Sequence, residues 1–197
     1  MAHPIIGWEH VTPVPNHEFN EFLSSRDGRL FYEDLDLTQL LHGGGVDQGS
    51  GKPLPSPLEI VYLPMLRAKV RRLKAIFAEV AAEVGYGGQF HYAYASKANT
   101  AEEVVQATLE AGAHYEMSSQ VDTVIVEMMQ AAGYLTPDRM VIANGFKPAG
   151  SGYSRSLIAL KAKHDNLIPV LEDLVELAPF IDCGLNFDVG LRLKCYG

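Results

Sequence analysis

Cysteine is scarce in this chain: Cys183 and Cys195 are the only two in 197 residues. Two thiols are too few for a disulfide framework or a four-ligand zinc site, and a reducing cytoplasm is the simplest compartment for them. Positive charge is also short, with 16 Lys and Arg against 24 Asp and Glu and a net charge of −8. That balance argues against nucleic acid or an anionic membrane as the main partner, since both want a basic face. No apolar run approaches the ~20 residues that a membrane span needs. Leu167-Ile-Pro-Val-Leu171 is among the longest, and charge follows at once. Nor does Met1-Ala-His-Pro-Ile-Ile-Gly-Trp-Glu9 have the basic start and apolar stretch of a secretory leader. What remains is ordinary globular composition, 47 % hydrophobic and 20 % charged, in a chain long enough for one large domain or one domain and part of another.

Residues 1–30, with Pro4, Pro13 and Pro15, read as an extended lead-in, and the segment from Leu30 to Leu41 as a strand turning into a short helix. The Gly-, Pro- and Ser-rich stretch His42–Pro57 is a loop by composition and the best candidate for a domain boundary. Leu58-Glu-Ile-Val-Tyr62 reads as a short strand. Pro64 opens a helix in which Met65, Leu66, Val70, Leu73, Ile76, Phe77, Val80 and Val84 share one face, and Gly85-Tyr-Gly-Gly88 closes it.

A unit then repeats. β-rich runs at Phe90–Ala95, His114–Ser118, Met140–Asn144, Leu167–Leu171 and Val189–Leu193 alternate with helical stretches at about 100–111, 121–132, 154–163 and 173–178. Gly112 and Gly133 close the first two helices. Strands alternating with single helices predict βαβ units and a parallel sheet. Five strand signals are fewer than the eight of a (β/α)8 barrel, which takes about 250 residues, so periodicity alone leaves an open doubly wound sheet or a barrel cut short.

Several motifs fail inspection. Gly150-Ser-Gly152 lacks the third glycine of a dinucleotide fingerprint, and Gly51-Lys52 lacks the first glycine of a P-loop, having Val46 there. Gly152-Tyr-Ser154-Arg-Ser156 lacks the closing glycine of a nucleophile elbow, and Ser154 reads better as a helix N-cap. His17-Glu-Phe-Asn-Glu21 ends in Glu where a zincin helix needs a second His. His91, His114 and His164 fall in separate units and read as strand-end or helix-surface residues.

Lys97 stands apart. It lies two residues beyond the apolar run Tyr92–Ala95, at the carboxyl end of the first parallel strand, where parallel α/β folds open their active sites. A lysine partly desolvated at that rim has a lowered pKa and a free amine able to attack an aldehyde, whereas a surface lysine in a βα loop does nothing of the kind. Position alone leaves the two readings level.

Tyr94-Ala-Ser-Lys97-Ala-Asn99 resembles the cofactor-lysine motif of the fold-type III, alanine-racemase-like pyridoxal phosphate enzymes. Ser56–Pro64, Gly85-Tyr-Gly-Gly-Gln-Phe90, Ala111–Ser119 and Ile142-Ala-Asn-Gly-Phe-Lys147 occur in the same order and at similar spacing in the biosynthetic-type arginine decarboxylases, so the resemblance covers residues 56–194. It implies a parallel (β/α)8 TIM-type barrel of which the first half to two-thirds is present, with residues 1–56 as an N-terminal extended segment and linker partly contributing to a second domain, and 57–197 as the partial cofactor-binding barrel. It implies pyridoxal 5′-phosphate as cofactor and decarboxylation of L-arginine to agmatine in polyamine biosynthesis. Lys97 matches the lysine that forms the Schiff base, Glu116 an acidic residue pointing into the cofactor pocket, and Arg192 an arginine on a later barrel strand beside the pyridine ring. Asn144 and Lys147 lie on a strand-end loop on the same side and receive no role.

After Arg192 only five residues remain. The family's ring-stacking histidine, glycine-rich phosphate loop, acidic partner of the pyridine nitrogen and β-domain are not among them. The chain therefore reads as an N-terminal piece of a longer homo-oligomeric enzyme, inactive and poorly stable alone, or as a natural short form. The alternatives are a decarboxylase for ornithine, lysine or diaminopimelate, and a non-catalytic relative that binds the cofactor or a protein partner.

Overall fold

The computed structural model describes residues 22–195, apart from positions 48, 56 and 194. Most of the N-terminal lead-in, with the His17–Glu21 motif, lies outside the described residues. The chain divides into two compact units, Met1–Tyr62 and Leu63–Gly197.

The first unit is a three-stranded antiparallel meander of β1 (Leu23–Arg26), β2 (Arg29–Tyr32) and β3 (Leu35–Asp36). The β1–β2 connection is the two-residue turn Asp27-Gly28, both at positive φ (50° and 73°), the backbone that a tight hairpin demands and that Asp-Gly supplies. A helical turn, Leu37–Gln39, follows, capped by the Asp36 carboxylate. The Gly-rich loop is closed by an isolated bridge between Val46 and Pro53. Leu58–Tyr62 is not a strand: its apolar residues suit one, but no strand pairs with it among the described residues, and the Tyr62 ring stacks on Tyr32 instead, with centroids 5.1 Å apart.

In the second unit, α1 (Leu63–Glu83) leads into β4 (Ala93–Ala95), α2 (Glu102–Glu110), β5 (His114–Met117), α3 (Asp122–Ala131), β6 (Val141–Ala143), α4 (Gly152–Lys161), β7 (Leu167–Leu171), the short α5 (Ala178–Ile181) and β8 (Gly190–Leu191). The strands form one parallel sheet in the order β4-β5-β6-β7-β8, each joined to the next in sequence. Gly112 and Gly133, at φ 92° and 78°, terminate α2 and α3 as expected.

Alternation along the strands decides between the two architectures. Tyr115, Met117, Val141, Ala143, Leu167 and Leu171 form a single core with Val105 and Leu109 of α2, Val126 and Met129 of α3, Leu157 and Leu160 of α4, and Phe180 of α5. Each such buried side chain is worth roughly 1.5–3 kcal/mol. All the crossover helices therefore cover one face. The other face carries Ala93, Ala95, His114, Glu116, Ile142, Ile168 and Val170, mostly half-buried, with no helix on it among the described residues. A doubly wound sheet has helices on both faces, whereas a barrel sheet has them on the outside only. The unit is part of a (β/α) barrel.

The long helix departs from expectation in its packing. Its amphipathic stripe is present, but only Val70 is buried, while Ile76, Phe77 and Val80 are nearly half exposed and Val84 is 70 % exposed. The first half of α1 is held to α2 by Arg67–Glu110 at 2.7 Å and by the Lys74 ammonium donating to the Gly112 carbonyl. Beyond that, Phe77 stacks on Phe90 with centroids 3.9 Å apart, and both rings line an open groove of about 680 Å³ together with Val80 and Val84.

Candidate active site

β4 runs directly into a single 3-10 turn, Ser96–Ala98, and three residues of the Tyr94–Asn99 motif tie it in place. The Tyr94 hydroxyl donates to the Asn99 carbonyl at 2.8 Å. The Asn99 side-chain oxygen accepts from the Ala101 N–H at 2.9 Å, which starts α2. Ser96 is fully buried and its hydroxyl donates to the Asp122 carboxylate at 3.2 Å. The turn is thus tied at three points, and Lys97 projects from it exposed, with no hydrogen bond or ion pair to any described residue. The expected partial desolvation of Lys97 is not found, because no helix covers the open face of the sheet among the described residues.

Glu116 belongs to β5, not to a loop, and points to the open face, where it is 8 % exposed. Its carboxylate accepts a 2.7 Å hydrogen bond from the Asn144 side chain, and the Asn144 carbonyl in turn accepts from the Tyr153 hydroxyl at 2.8 Å. Arg192 follows β8 immediately, half exposed, and its guanidinium pairs with Glu172 at 3.1 Å. All three predicted residues therefore sit at or beside the carboxyl ends of strands of the one sheet, Lys97 and Glu116 on the neighbours β4 and β5 and Arg192 on β8, at its other edge.

Two carboxylates that hold this rim escaped the sequence reading. Asp122, buried at the start of α3, accepts from the Ser118 and Ser119 N–H groups, both at 2.9 Å, and from the Ser119 hydroxyl, besides Ser96. Glu176 is fully buried and accepts from the backbone N–H of Lys147 (2.7 Å), Glu172 (2.6 Å) and Asp173 (3.0 Å), and from the Lys147 ammonium (3.2 Å). Lys147 is fully buried too, and its ammonium also donates to the carbonyls of Gly145 and Val170. All three of its protons are engaged, so this second rim lysine is a structural tie rather than a nucleophile. Burial lowers the Lys147 pKa, partly offset by Glu176. Burial pushes Glu176 up, but the Glu172 and Lys147 N–H groups and the ammonium pull harder, leaving it below the usual carboxylate range. The signal for Glu176 was readable: Asp173 and Glu176 form a capping box, an Asp followed three residues later by Glu.

These contacts make one continuous chain along the rim. Ser96–Asp122 joins the ends of β4 and β5, Glu116–Asn144 those of β5 and β6, Lys147–Glu176 those of β6 and β7, and Glu172–Arg192 those of β7 and β8.

Among the rejected motifs, the N-cap of α4 is Ser151, whose hydroxyl accepts from the Ser154 N–H; Ser154 is the third helical residue and caps nothing, because the helix already starts at Gly152. His91 and His114, expected as isolated, meet at 3.1 Å at the opposite ends of the strands, and His164 is buried with its ring against the Arg139 carbonyl. Among the described residues no group of three His, Cys, Asp or Glu could hold a metal ion, and no helix is long and apolar enough to cross a membrane.

Comparison with known proteins follows the same line. Arginine decarboxylase 1 of Oryza sativa subsp. japonica is 29 % identical over 170 residues, 82 % of this chain and 24 % of that protein. The biosynthetic arginine decarboxylase of Gloeobacter violaceus is 26 % identical over 189 residues, 94 % of this chain and 26 % of that protein. In sequence, the chain is similar to arginine decarboxylases over most of its own length. It spans about a quarter of the length of these curated relatives. The crystal structure of the biosynthetic arginine decarboxylase from Campylobacter jejuni superposes with a TM-score of 0.64 at 19 % identity, over 88 % of this chain and 29 % of that one. Diaminopimelate decarboxylase from M. jannaschi superposes equally well, 0.64 at 18 % identity, over 88 % of this chain and 36 % of that one. The chain shares part of the fold of these two structures. No protein-family model matches the sequence.

Proposed function

We propose that this chain supplies the first part of the cofactor-binding barrel of a cytoplasmic, homo-oligomeric, pyridoxal 5′-phosphate-dependent decarboxylase that converts L-arginine to agmatine, with residues 1–56 contributing to a second domain. The observation that carries the reading is Lys97: a lysine with no partner among the described residues, on a turn tied at three points at the carboxyl rim of a half-barrel, within a sequence similar to arginine decarboxylases over four-fifths of its length or more.

The residues at hand suit the cofactor. Lys97 offers an amine for its aldehyde, Glu116 a carboxylate already oriented by Asn144, and Arg192 a guanidinium oriented by Glu172. When bound, pyridoxal phosphate supplies a conjugated ring that takes up the electron pair left as carbon dioxide departs. Lys97 would hold that group by its amine, and Glu116 and Arg192 would set the charge around it. Ala93 and Ala95, the small residues of β4 on the open face, leave room for a planar group.

Arginine is preferred to other basic amino acids because the relatives reported above are arginine decarboxylases. The fold does not choose, since an arginine and a diaminopimelate decarboxylase superpose equally well. Two experiments test the proposal. Borohydride reduction in the presence of pyridoxal phosphate, followed by peptide mass mapping, should label Lys97; label on other lysines with Lys97 unmodified refutes the cofactor role. Carbon dioxide release by the protein expressed from its complete reading frame should show the highest kcat/KM with arginine. A higher value with ornithine, lysine or diaminopimelate moves the substrate while leaving the Lys97 chemistry in place.

A further inference from the structure

We infer that Asp122 is a positioning residue for Lys97, acting through the Ser96 hydroxyl; the inference rests on the cofactor role proposed above for Lys97. Asp122 lies on the first turn of α3, one strand away from the lysine, and its carboxylate is 6 % exposed in a neutral, hydrogen-bonding surround. One oxygen gathers the Ser118 and Ser119 N–H groups and the Ser119 hydroxyl, which fixes the β5–α3 loop. The other takes the Ser96 hydroxyl, which fixes the residue immediately before Lys97.

The geometry gives the second bond a distinct purpose. Loop capping alone would be complete with the first oxygen. The Ser96 bond adds nothing to that loop, but it ties the backbone of the lysine turn to a carboxylate that three other donors already hold still. Ser96 is fully buried while Lys97 is exposed, so the side chain of Lys97 is oriented from its backbone and not by packing. A hydrogen bond to a carboxylate that three other donors hold in place fixes the direction in which the next residue leaves the strand.

The test uses the 197-residue chain with pyridoxal phosphate as probe, Ser96→Ala and Asp122→Ala as variants, and Lys69 as internal reference. Lys69 is exposed and, like Lys97, bears no partner among the described residues. Borohydride-trapped label at Lys97 relative to Lys69 should be higher in the native wild type than in the urea-denatured chain. Both variants should lower that ratio by about ten-fold, in keeping with loss of a bond to a charged group, while far-UV circular dichroism is retained. In parallel, amide hydrogen exchange over residues 96–100 should quicken in Ser96→Ala, with residues 104–110 unchanged. A wild-type ratio no higher than in urea overturns the role of Lys97 itself, and the exchange measurement then still decides whether Asp122 orders the turn. Unchanged exchange at 96–100, or a raised wild-type ratio that Ser96→Ala leaves intact, overturns the inference.

Discussion

Replacing Lys147 by methionine tests the account of the rim most directly. Methionine matches the length of the lysine stem but cannot donate, so the substitution leaves the carbonyls of Gly145 and Val170 without that proton and removes the cation beside Glu176. Removing one partner of a buried ion pair costs about 3–5 kcal/mol. Glu176 keeps its three backbone donors, so Lys147→Met should fall near the lower end, about 3 kcal/mol, and Glu176→Leu, which strands an ammonium and three N–H groups, at or above the upper end. At roughly 2–4 °C per kcal/mol for a chain of this size, Lys147→Met lowers Tm by about 10 °C. The double variant should cost less than the sum of the singles by about 1–3 kcal/mol, because the two groups share one network. Urea unfolding followed by circular dichroism measures all three. Lys147→Met within about 0.5 kcal/mol of wild type, the scatter of ordinary surface substitutions, would refute the assignment of Lys147 as a structural tie.

Gly145, at φ 82°, would place a Cβ 2.2 Å from the Ser118 carbonyl oxygen, whereas Gly150, at φ 76°, has nothing within 4 Å. Gly150→Ala should therefore cost only the left-handed penalty, roughly 1–2 kcal/mol, and Gly145→Ala clearly more; equal losses in urea unfolding would contradict the close approach of these loops. His114 has its pKa lowered by burial and by His91, Arg139 and Lys74, against a smaller opposing effect of Asp138, and its Nδ1 accepts from the Met140 N–H. The unfolded chain takes up the proton first, near pH 6.5, so the stability linked to this ring is full above that pH and is lost as pH falls through it. Tm should be lower at about pH 5.5 than at about pH 7.5, and His114→Gln should shrink the difference; a difference that the substitution leaves unchanged would exclude this ring as its source.

Much of the second unit is legible in the residues themselves because its elements are short and sharply bounded. Leu167–Leu171 is a strand end to end, with alternating burial between charged flanks, and Gly112 and Gly133 stop their helices where a positive φ is required. What escaped depends on a partner that no local pattern can name. Leu58–Tyr62 has strand chemistry and no strand beside it among the described residues, while Leu23–Arg26 is a strand because the Asp27-Gly28 turn folds Arg29–Tyr32 back onto it. That dipeptide was a readable hairpin signal within a segment that its prolines made look featureless. Lys147 and Glu176 belong to residue types that are almost never fully buried unless paired, and their separation of 29 residues hides the pairing until β6 and β7 lie side by side.

The exposed stripe of α1, the half-buried open face of the sheet and the solvated Lys97 share one cause. Helices cover a single face of the strands, so the residues that would pack inside a barrel, and most of the last turns of α1, stay partly exposed among the described residues. Apolar surface of this extent favours association, and the chain should gather on itself at concentrations where a closed domain stays dispersed. Under that condition the rim cannot owe its order to packing on the open side. It owes it to four polar links, each joining a strand end to the next, and a carboxylate is present in every one: Asp122, Glu116, Glu176 and Glu172. Each of these four carboxylates accepts from backbone or side-chain N–H groups, which holds it still. The alignment of Lys97, Glu116 and Arg192 is thus written into hydrogen bonds between neighbouring loops. For that reason a substitution at Asp122 or Glu176 should disturb the site more than one at an apolar residue of the open face.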